Sequence, residues 1–315
     1  MSERAEPPGE RAAGQAPPLV GYLGPAGTFS EEALLASAQP QAVEPVALAS
    51  IYDTVMALRR GEIGWAVVPI ENSLEGSINV TLDLLADEAG GIEIVGEVLL
   101  RVSHALIGAR AVDIKEIDTV LTHPQVPGQC TRFLRSELAQ ARVLPASSTA
   151  EAVRMVVSEA RDGQAAIGTT LAAEIYGGTV LRERIEDRAD NETRFVWLAA
   201  DGARRAPPLR NDEDARWKTS VVFWGAGAEH PGWLVRCLDE FARREINLTK
   251  IESRPRRERL GSYMFFADLA GHAEEAPVAS AIAGLRGVCE QVRVLGSYRA
   301  AESNGAAPTP TRART

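Results

Sequence analysis

The chain has 315 residues, 45% hydrophobic and 24% charged, with a formal net charge of -9 at pH 7. Such a length suggests two domains, or one with an appendage, and the composition is that of a globular enzyme with a large core. The acidic balance argues against nucleic acid as the main partner, and no apolar run reaches the roughly 20 residues of a membrane helix.

Residues 1–17 and 300–315 are rich in Pro, Ala, Gly and Arg and read as disordered tails. The first of them holds no apolar run able to serve as a signal peptide. Cys130, Cys237 and Cys289 show neither CxxC nor zinc spacing. A cytoplasmic location fits that usage best.

In chain order, Leu19 to Leu23 reads as a strand, followed by Gly24-Pro25-Ala26-Gly27 and a helix from about Ser30. Val43 to Ala47 is a short strand and 50–60 a helix. Trp65 to Ile70 is a buried strand with a helix from about residue 77. Ile92 to Leu100 is strand-like and runs on through Val102 to Ile107. Asp118 to Leu121, Arg142 to Leu144 and Ala165 to Ile167 are strands, each followed by a helix. The polar cluster Asp190-Asn191-Glu192-Thr193-Arg194-Phe195 leads into the apolar run Val196 to Ala200. Strand–helix alternation of this kind predicts a mostly parallel sheet with helices on its faces.

Residues 201–217 are Pro-rich and charged and read as a linker. Beyond them, 218–299 contains strands at 219–224, 248–253, 262–269 and 288–298. The stretch 232–244 carries a helical apolar stripe, and 276–286 is a second helix. This βαββαβ order is the ferredoxin-like signature.

Ligands of open α/β sheets bind where strand ends meet helix N-termini. Five such junctions carry hydroxyls or amides: Thr28 to Glu31, Glu71-Asn72-Ser73 with Gly76, Thr122 to Gln125 with Gln129, Ser147 to Glu151, and Gly168-Thr169-Thr170. Each also reads as a plain helix cap. Together they describe a site that binds anionic oxygens through neutral donors and backbone N–H groups. GxGxxG, GxxxxGK[ST], HExxH and GxSxG are all absent. No nucleotide, metal or other cofactor is therefore expected.

Gly24 to Ser30, Pro69-Ile70-Glu71-Asn72-Ser73 with Gly76, His123-Pro124-Gln125 with Gln129, and Thr193-Arg194-Phe195 stand in the order and spacing of the prephenate dehydratases. Residues 218–299 resemble an ACT domain, with Glu252-Ser253-Arg254-Pro255 matching that family's regulatory motif. One departure is Trp233 in Gly232-Trp233-Leu234, where the family has a small residue. No helical chorismate mutase-like domain precedes residue 19, which resembles the monofunctional form.

The resemblance implies decarboxylation and dehydration of prephenate to phenylpyruvate in phenylalanine synthesis, without cofactor or metal. Thr193 is then the catalytic donor to the departing hydroxyl. Arg194 either clamps a substrate carboxylate or pairs with a nearby acid, pointing to the opposite face from Thr193. Thr28, Ser30, Asn72, Ser73, Gln125, Gln129, Ser148 and Thr149 are the substrate-binding candidates. Glu71 orients Asn72 and Ser73. Phe195 walls the cleft or packs in the core, and Asn191 touches substrate or turns the chain.

The same resemblance implies a two-lobed catalytic domain over 18–200, similar to the type II periplasmic-binding fold. One lobe is about 19–100 and 180–200, the other about 104–178. It further implies a homodimer or homotetramer that binds phenylalanine through Pro231, Gly232, Trp233, Leu234, Asn247, Leu248, Glu252 and Ser253. Arogenate as substrate, or a non-catalytic ligand sensor, are the alternatives.

Overall fold

The computed structural model describes residues 17–39, 43–86, 90–200, 202, 207–210, 214–225 and 230–301. The expected tails at 1–17 and 300–315 lie almost wholly outside these residues, as does much of the linker expected at 201–217.

The first sheet is built from β1 (Leu19–Leu23), β2 (Glu44–Leu48), β3 (Trp65–Asn72), the two-residue β4 (Gly76–Ser77) and β5 (Ile92–Arg101). Its helices are α1 (Phe29–Ser37), α2 (Ile51–Arg59) and α3 (Asn79–Ala86). The second sheet holds β6 (Ala105–Gly108), β7 (Thr119–Thr122), β8 (Arg142–Pro145), β9 (Gln164–Gly168) and β10 (Thr179–Arg182). Around it lie α4 (Val126–Gln129), α5 (Thr131–Glu137), α6 (Thr149–Glu159) and α7 (Thr170–Tyr176). The chain then returns to the first sheet as β11 (Glu192–Ala200).

The strand orders are β2-β1-β3-β11-β5 and β10-β6-β9-β7-β8, with β4 on β3. Apart from β4, each sheet is parallel but for one reversed strand. That strand is β11 in the first sheet, antiparallel to both β3 and β5, and β6 in the second, antiparallel to β9 and β10.

Two expectations change. The strand read as continuous from 92 to 107 breaks at Val102–His104, where backbone donors find partners outside a ladder. Val102 N donates to Asn191 O at 2.8 Å, and His104 N donates to the Glu186 carboxylate at 2.9 Å. The return crossing was placed at about 180, but β10 pairs with β6 and stays with the second sheet. The chain therefore crosses back over 183–191.

The third sheet comprises β12 (Trp217–Trp224), β13 (Leu248–Pro255), β14 (Tyr263–Ala270) and β15 (Gln291–Arg299), in the order β13-β14-β12-β15. All its pairings are antiparallel. Helices α8 (Trp233–Ala242) and α9 (Ala276–Arg286) cover one face, burying Val221, Phe223, Ala267 and Leu269. The other face is not free. Val222, Trp224, Met264, Phe266, Leu295 and Tyr298 join Val55, Leu58, Leu82, Leu85, Ile94, Val196 and Leu198 of the first lobe in one continuous core.

Strand β15 comes so close to β5 that a Cβ on Gly296 would collide with the Ile94 backbone. The C-terminal module is thus fused to the first lobe by shared apolar burial. Among the expected linker residues, Leu209 is buried in the first lobe's other core with Val20, Trp65 and Trp197. All three cysteines are buried and unpaired. No described helix is long and apolar enough to cross a membrane.

Phe266 is 3% exposed in the shared core. Phe266→Ala should cost about 3–5 kcal/mol and lower the urea midpoint of the first lobe as well as that of the C-terminal module. Two well-separated transitions, with only the later residues affected, would show that the core is not shared.

Candidate active site

A cavity of about 760 Å³ lies between the two lobes. From the first lobe it is lined by Leu23, Gly24, Pro25, Thr28 and Phe29, by Leu48, Asn72, Glu75 and Ile78, and by Thr193. The second lobe adds His123, Gln125, Gln129, Ser148, Thr149 and Glu151, and Val102 and His104 come from the crossing segment.

The lobes meet beside this cavity. Gly27, at φ +84, lies so near α7 that a Cβ there would sit 2.8 Å from Ala172 Cα. Thr169 donates its hydroxyl proton to Gly27 O at 2.6 Å, and the Tyr176 hydroxyl donates to Ala26 O at 2.8 Å. The Thr169 junction, one of the five read as anion-ready, is therefore spent on clasping the lobes.

Helix caps account for some of the remaining hydroxyls. Thr28 Oγ1 accepts from Glu31 N at 3.5 Å and donates to Leu23 O at 2.9 Å, so its proton faces backbone. Ser148 caps α6 by accepting from Glu151 N at 3.0 Å, which leaves its proton available. Thr149, the first residue of α6, also lines the cavity. Among the described residues no lysine or arginine lines it, and both Glu151 oxygens are held by Arg154 at 2.7 Å. An anion here would rest on hydroxyls, amides and the N-terminus of α6.

Thr193 sits at the centre of a polar chain. Asn72 Nδ2 donates to Thr193 Oγ1 at 2.9 Å and to Asn191 Oδ1 at 2.9 Å. Asn191 Nδ2 donates to Gln129 Oε1 at 3.3 Å, and His104 Nε2 lies 3.1 Å from the same oxygen. His104 is 2% exposed. Burial lowers its pKa more than Gln129 and Glu186 raise it, so the ring is held neutral. Burial, with Glu186 and Asp187, pushes the nearby Cys130 thiol up to about 12, as befits an inert core residue.

Four expected site residues lie elsewhere. Arg194 points away from the cavity, into the junction with the third sheet. It bonds Glu97 at 2.6 Å, Asp268 at 2.5 Å and the Tyr298 hydroxyl at 2.7 Å. Lys218 also holds Glu97 at 2.6 Å, and Ser220 holds Asp268 at 2.5 Å. Burial alone would pull the Arg194 pKa down, but Tyr298, Asp268 and Glu97 outweigh it and hold it well above its ordinary value. Of the two readings, the ion pair with an acid is the one observed.

Phe195 is 2% exposed and packs in core with Val20, Tyr22 and Trp197. Ser30 is buried in α1. Ser73 accepts from Glu192 N at 3.0 Å and donates to Asn191 Oδ1 at 3.2 Å, so it braces the loop. Glu71, expected to orient Asn72 and Ser73, instead faces Lys250 at 3.0 Å and Arg194 at 3.7 Å. Strand alternation explains the split: Glu71 and Arg194 are register partners on one face, Asn72 and Thr193 on the other.

A second cavity of about 220 Å³ is lined by His230, Gly232, Trp233, Leu234, Val235, Gly261, Tyr263 and Phe265. It includes three of the expected effector contacts, while Pro231, Asn247, Leu248, Glu252 and Ser253 do not line it. Glu252 pairs with Phe266 and so lies on the sheet face turned toward the first lobe. Arg254, on that same face, bonds the Asp83 carboxylate at 3.0 Å. Trp233 puts its indole into the module's core against Phe223 and Phe265, with Nε1 donating to Val288 O at 3.0 Å.

The sequence reading passed over His104 as a site residue. The only signal was its position, a lone histidine at the expected lobe crossing inside the apolar run 102–107.

Residues 20–203 match the family model described as prephenate dehydratase. The chain belongs to the prephenate dehydratase family. It is an enzyme, and prephenate is its substrate. It is 39% identical to the prephenate dehydratase of Mycolicibacterium vanbaalenii, over 93% of this chain and 95% of that one. Among solved structures it resembles the prephenate dehydratase of Arthrobacter aurescens in complex with L-Phe. That match is 36% identical with a TM-score of 0.79 and covers 93% of both chains. It also resembles GqqA, described as a novel type of quorum quenching acylase, at 29% identity and TM-score 0.77, over 90% of this chain and 98% of that one. One fold thus carries more than one named activity, and chemistry must be argued from the site.

Removing Arg194 strands the buried carboxylates of Glu97 and Asp268. Arg194→Ala should therefore destabilise the protein by about 3–5 kcal/mol, read as a lower urea midpoint. A loss below about 1 kcal/mol would mean that the cluster does not hold the junction.

Proposed function

We propose that Thr193 is the catalytic donor of this prephenate dehydratase and that phenylalanine regulates it through residues 218–299. One observation carries the first part. Thr193 lines the cavity between the lobes, and its Oγ1 accepts a hydrogen bond from Asn72. With its lone pair occupied by a donor, the hydroxyl has its own proton free for the cavity.

In the reaction, the ring carboxylate leaves as carbon dioxide and its bonding electrons enter the ring. The C–O bond at the opposite ring carbon breaks, and the departing hydroxide leaves as water after taking a proton. Thr193 hydrogen-bonds that oxygen as it gains charge, the kind of interaction that strengthens only in the transition state. Gln125, Gln129, Ser148, Thr149 and the α6 N-terminus hold the substrate's oxygens. The lack of a lysine or arginine among the described lining residues suits a carboxylate that must depart, because a tight ion pair would stabilise the ground state. The reaction needs no redox partner, and the product feeds phenylalanine synthesis.

Thr193→Ala should lower turnover of prephenate to phenylpyruvate by about 10²-fold or more, with the fold unchanged by circular dichroism. An active, folded variant would remove Thr193 from the chemistry.

The βαββαβ module supports the regulatory reading as an ACT domain. Phenylalanine would bind at Gly232, Trp233 and Leu234, beside Tyr263 and Phe265, in a homodimer or homotetramer. Trp233 leaves room because its indole is buried in the module's core. Titration calorimetry should detect L-phenylalanine binding that weakens about tenfold in Tyr263→Ala, a half-exposed lining residue. Unchanged affinity in that variant would move the effector site elsewhere.

A further inference from the structure

The polar chain beside Thr193 has a direction, and backbone atoms set it. Asn72 Oδ1 accepts from Leu74 N at 2.9 Å and from Glu75 N at 3.0 Å. Those two donors have no other orientation, so this end of the Asn72 amide is oxygen and the other is nitrogen. Asn72 Nδ2 must then donate, and the Asn191 atom it meets at 2.9 Å must be oxygen. Ser73 donates to the same oxygen. The other end of Asn191 is therefore nitrogen and donates to Gln129, whose facing atom must be Oε1. His104 Nε2, 3.1 Å from that oxygen, can bond it only by carrying the proton. Among the described residues, Nδ1 of the same ring is buried without a partner, which suits a bare nitrogen better than a desolvated N–H.

Two consequences reach the cavity. The Gln129 amide turns its oxygen to His104 and Asn191, which leaves its NH₂ for the cavity it lines. Thr193 receives a hydrogen bond from Asn72 and keeps its own proton to give.

We propose that His104 and Asn191 are positioning residues for the dehydration: a neutral, Nε2-protonated His104 and the Asn191 amide lock Gln129 as a donor to substrate oxygen and hold Asn72 as a donor to Thr193. This rests on the reading of Thr193 and Gln129 given above. The chain spans both lobes, with Gln129 from the second and Asn72, Asn191 and Thr193 grouped at the first. It therefore acquires its full polarity only when the lobes stand together. A pocket with Gln129 so oriented offers donors to carboxylate or keto oxygens at that point.

The imidazole ¹⁵N spectrum of the intact protein tests the proposal directly. The four histidines are His104, His123, His230 and His272, and the His104 signals are identified by their loss in His104→Gln. A neutral ring protonated at Nε2 at pH 7 is expected. A ring protonated at Nδ1, or an imidazolium, overturns the proposal whether or not prephenate is turned over.

Kinetics give the second readout. The amide nitrogen of His104→Gln can stand where Nε2 stood, whereas His104→Asn reaches only the Nδ1 position and His104→Leu supplies neither. The Asn and Leu variants should lose about tenfold or more in kcat/KM, the worth of one ordinary buried hydrogen bond. The Gln variant should recover to within about threefold of wild type. Equal loss in all three, or no loss in any, contradicts a positioning role. Gln129→Glu separates the two functions of Gln129. Its carboxylate still accepts from His104 and Asn191 but offers no donor to substrate, so KM should rise while the His104 tautomer stays as in wild type. An unchanged KM would show that Gln129 does not face substrate. Absence of wild-type turnover would count against the proposed function, whereas the tautomer result tests the orientation of Gln129 independently of it.

Discussion

The insertion of β11 between β3 and β5 is the constraint on which the rest of the structure depends. The chain leaves the first sheet along β5, builds the second lobe, and comes back antiparallel into the middle of the first. A single extended segment thereby serves two faces. Thr193 faces the interlobe cavity and meets Asn72, 121 residues earlier. Arg194, its neighbour, faces the third sheet and meets Asp268 and Tyr298. Because adjacent residues of a strand must point to opposite faces, the Thr193 hydroxyl and the module junction are joined through one peptide bond.

That junction is both polar and apolar. The polar part is the Arg194 cluster, whose charges are tolerable only because each finds a partner. The apolar part is the core shared by β3, β11, α2 and α3 with the inner face of the third sheet. Lys250 and Arg254 extend the contact from β13 to Glu71, Ser77 and Asp83. A change at the third sheet therefore has a short, stiff route to β11.

The polar chain beside Thr193 is built from neutral groups. Its polarity is set by amides whose orientation traces back to two backbone N–H groups after Asn72. In a buried setting such a chain gains from mutual polarisation and loses heavily if one member is reversed. Such a chain supplies directional donors without a cation.

Much of this was legible in the sequence because it is local. Thr28, Ser148 and Thr169 stand as N-caps where the capping patterns put them. Gly177 ends α7 in the left-handed region, and the βαββαβ order of the last module emerges from periodicity alone. The ordered motifs were enough to place the chain in its family. Alternation along Thr193-Arg194 also predicted opposite faces, but not what would cover each. That depended on pairings with strands some hundred residues away, which no local pattern encodes. Ser30 and Ser73 were expected at the cleft as members of the matched motifs, and Phe195 either there or in the core; long-range packing buried Ser30 and Phe195 and set Ser73 to brace a loop. The sequence determined which segments become strands and helices and which chemistry their ends carry. Only the tertiary structure decided that Arg194 holds a domain junction, that Thr169 clasps two lobes, and that His104 completes the chain to Thr193. Each of those roles is a contact between elements far apart in the chain, and it exists only once the sheets have assembled.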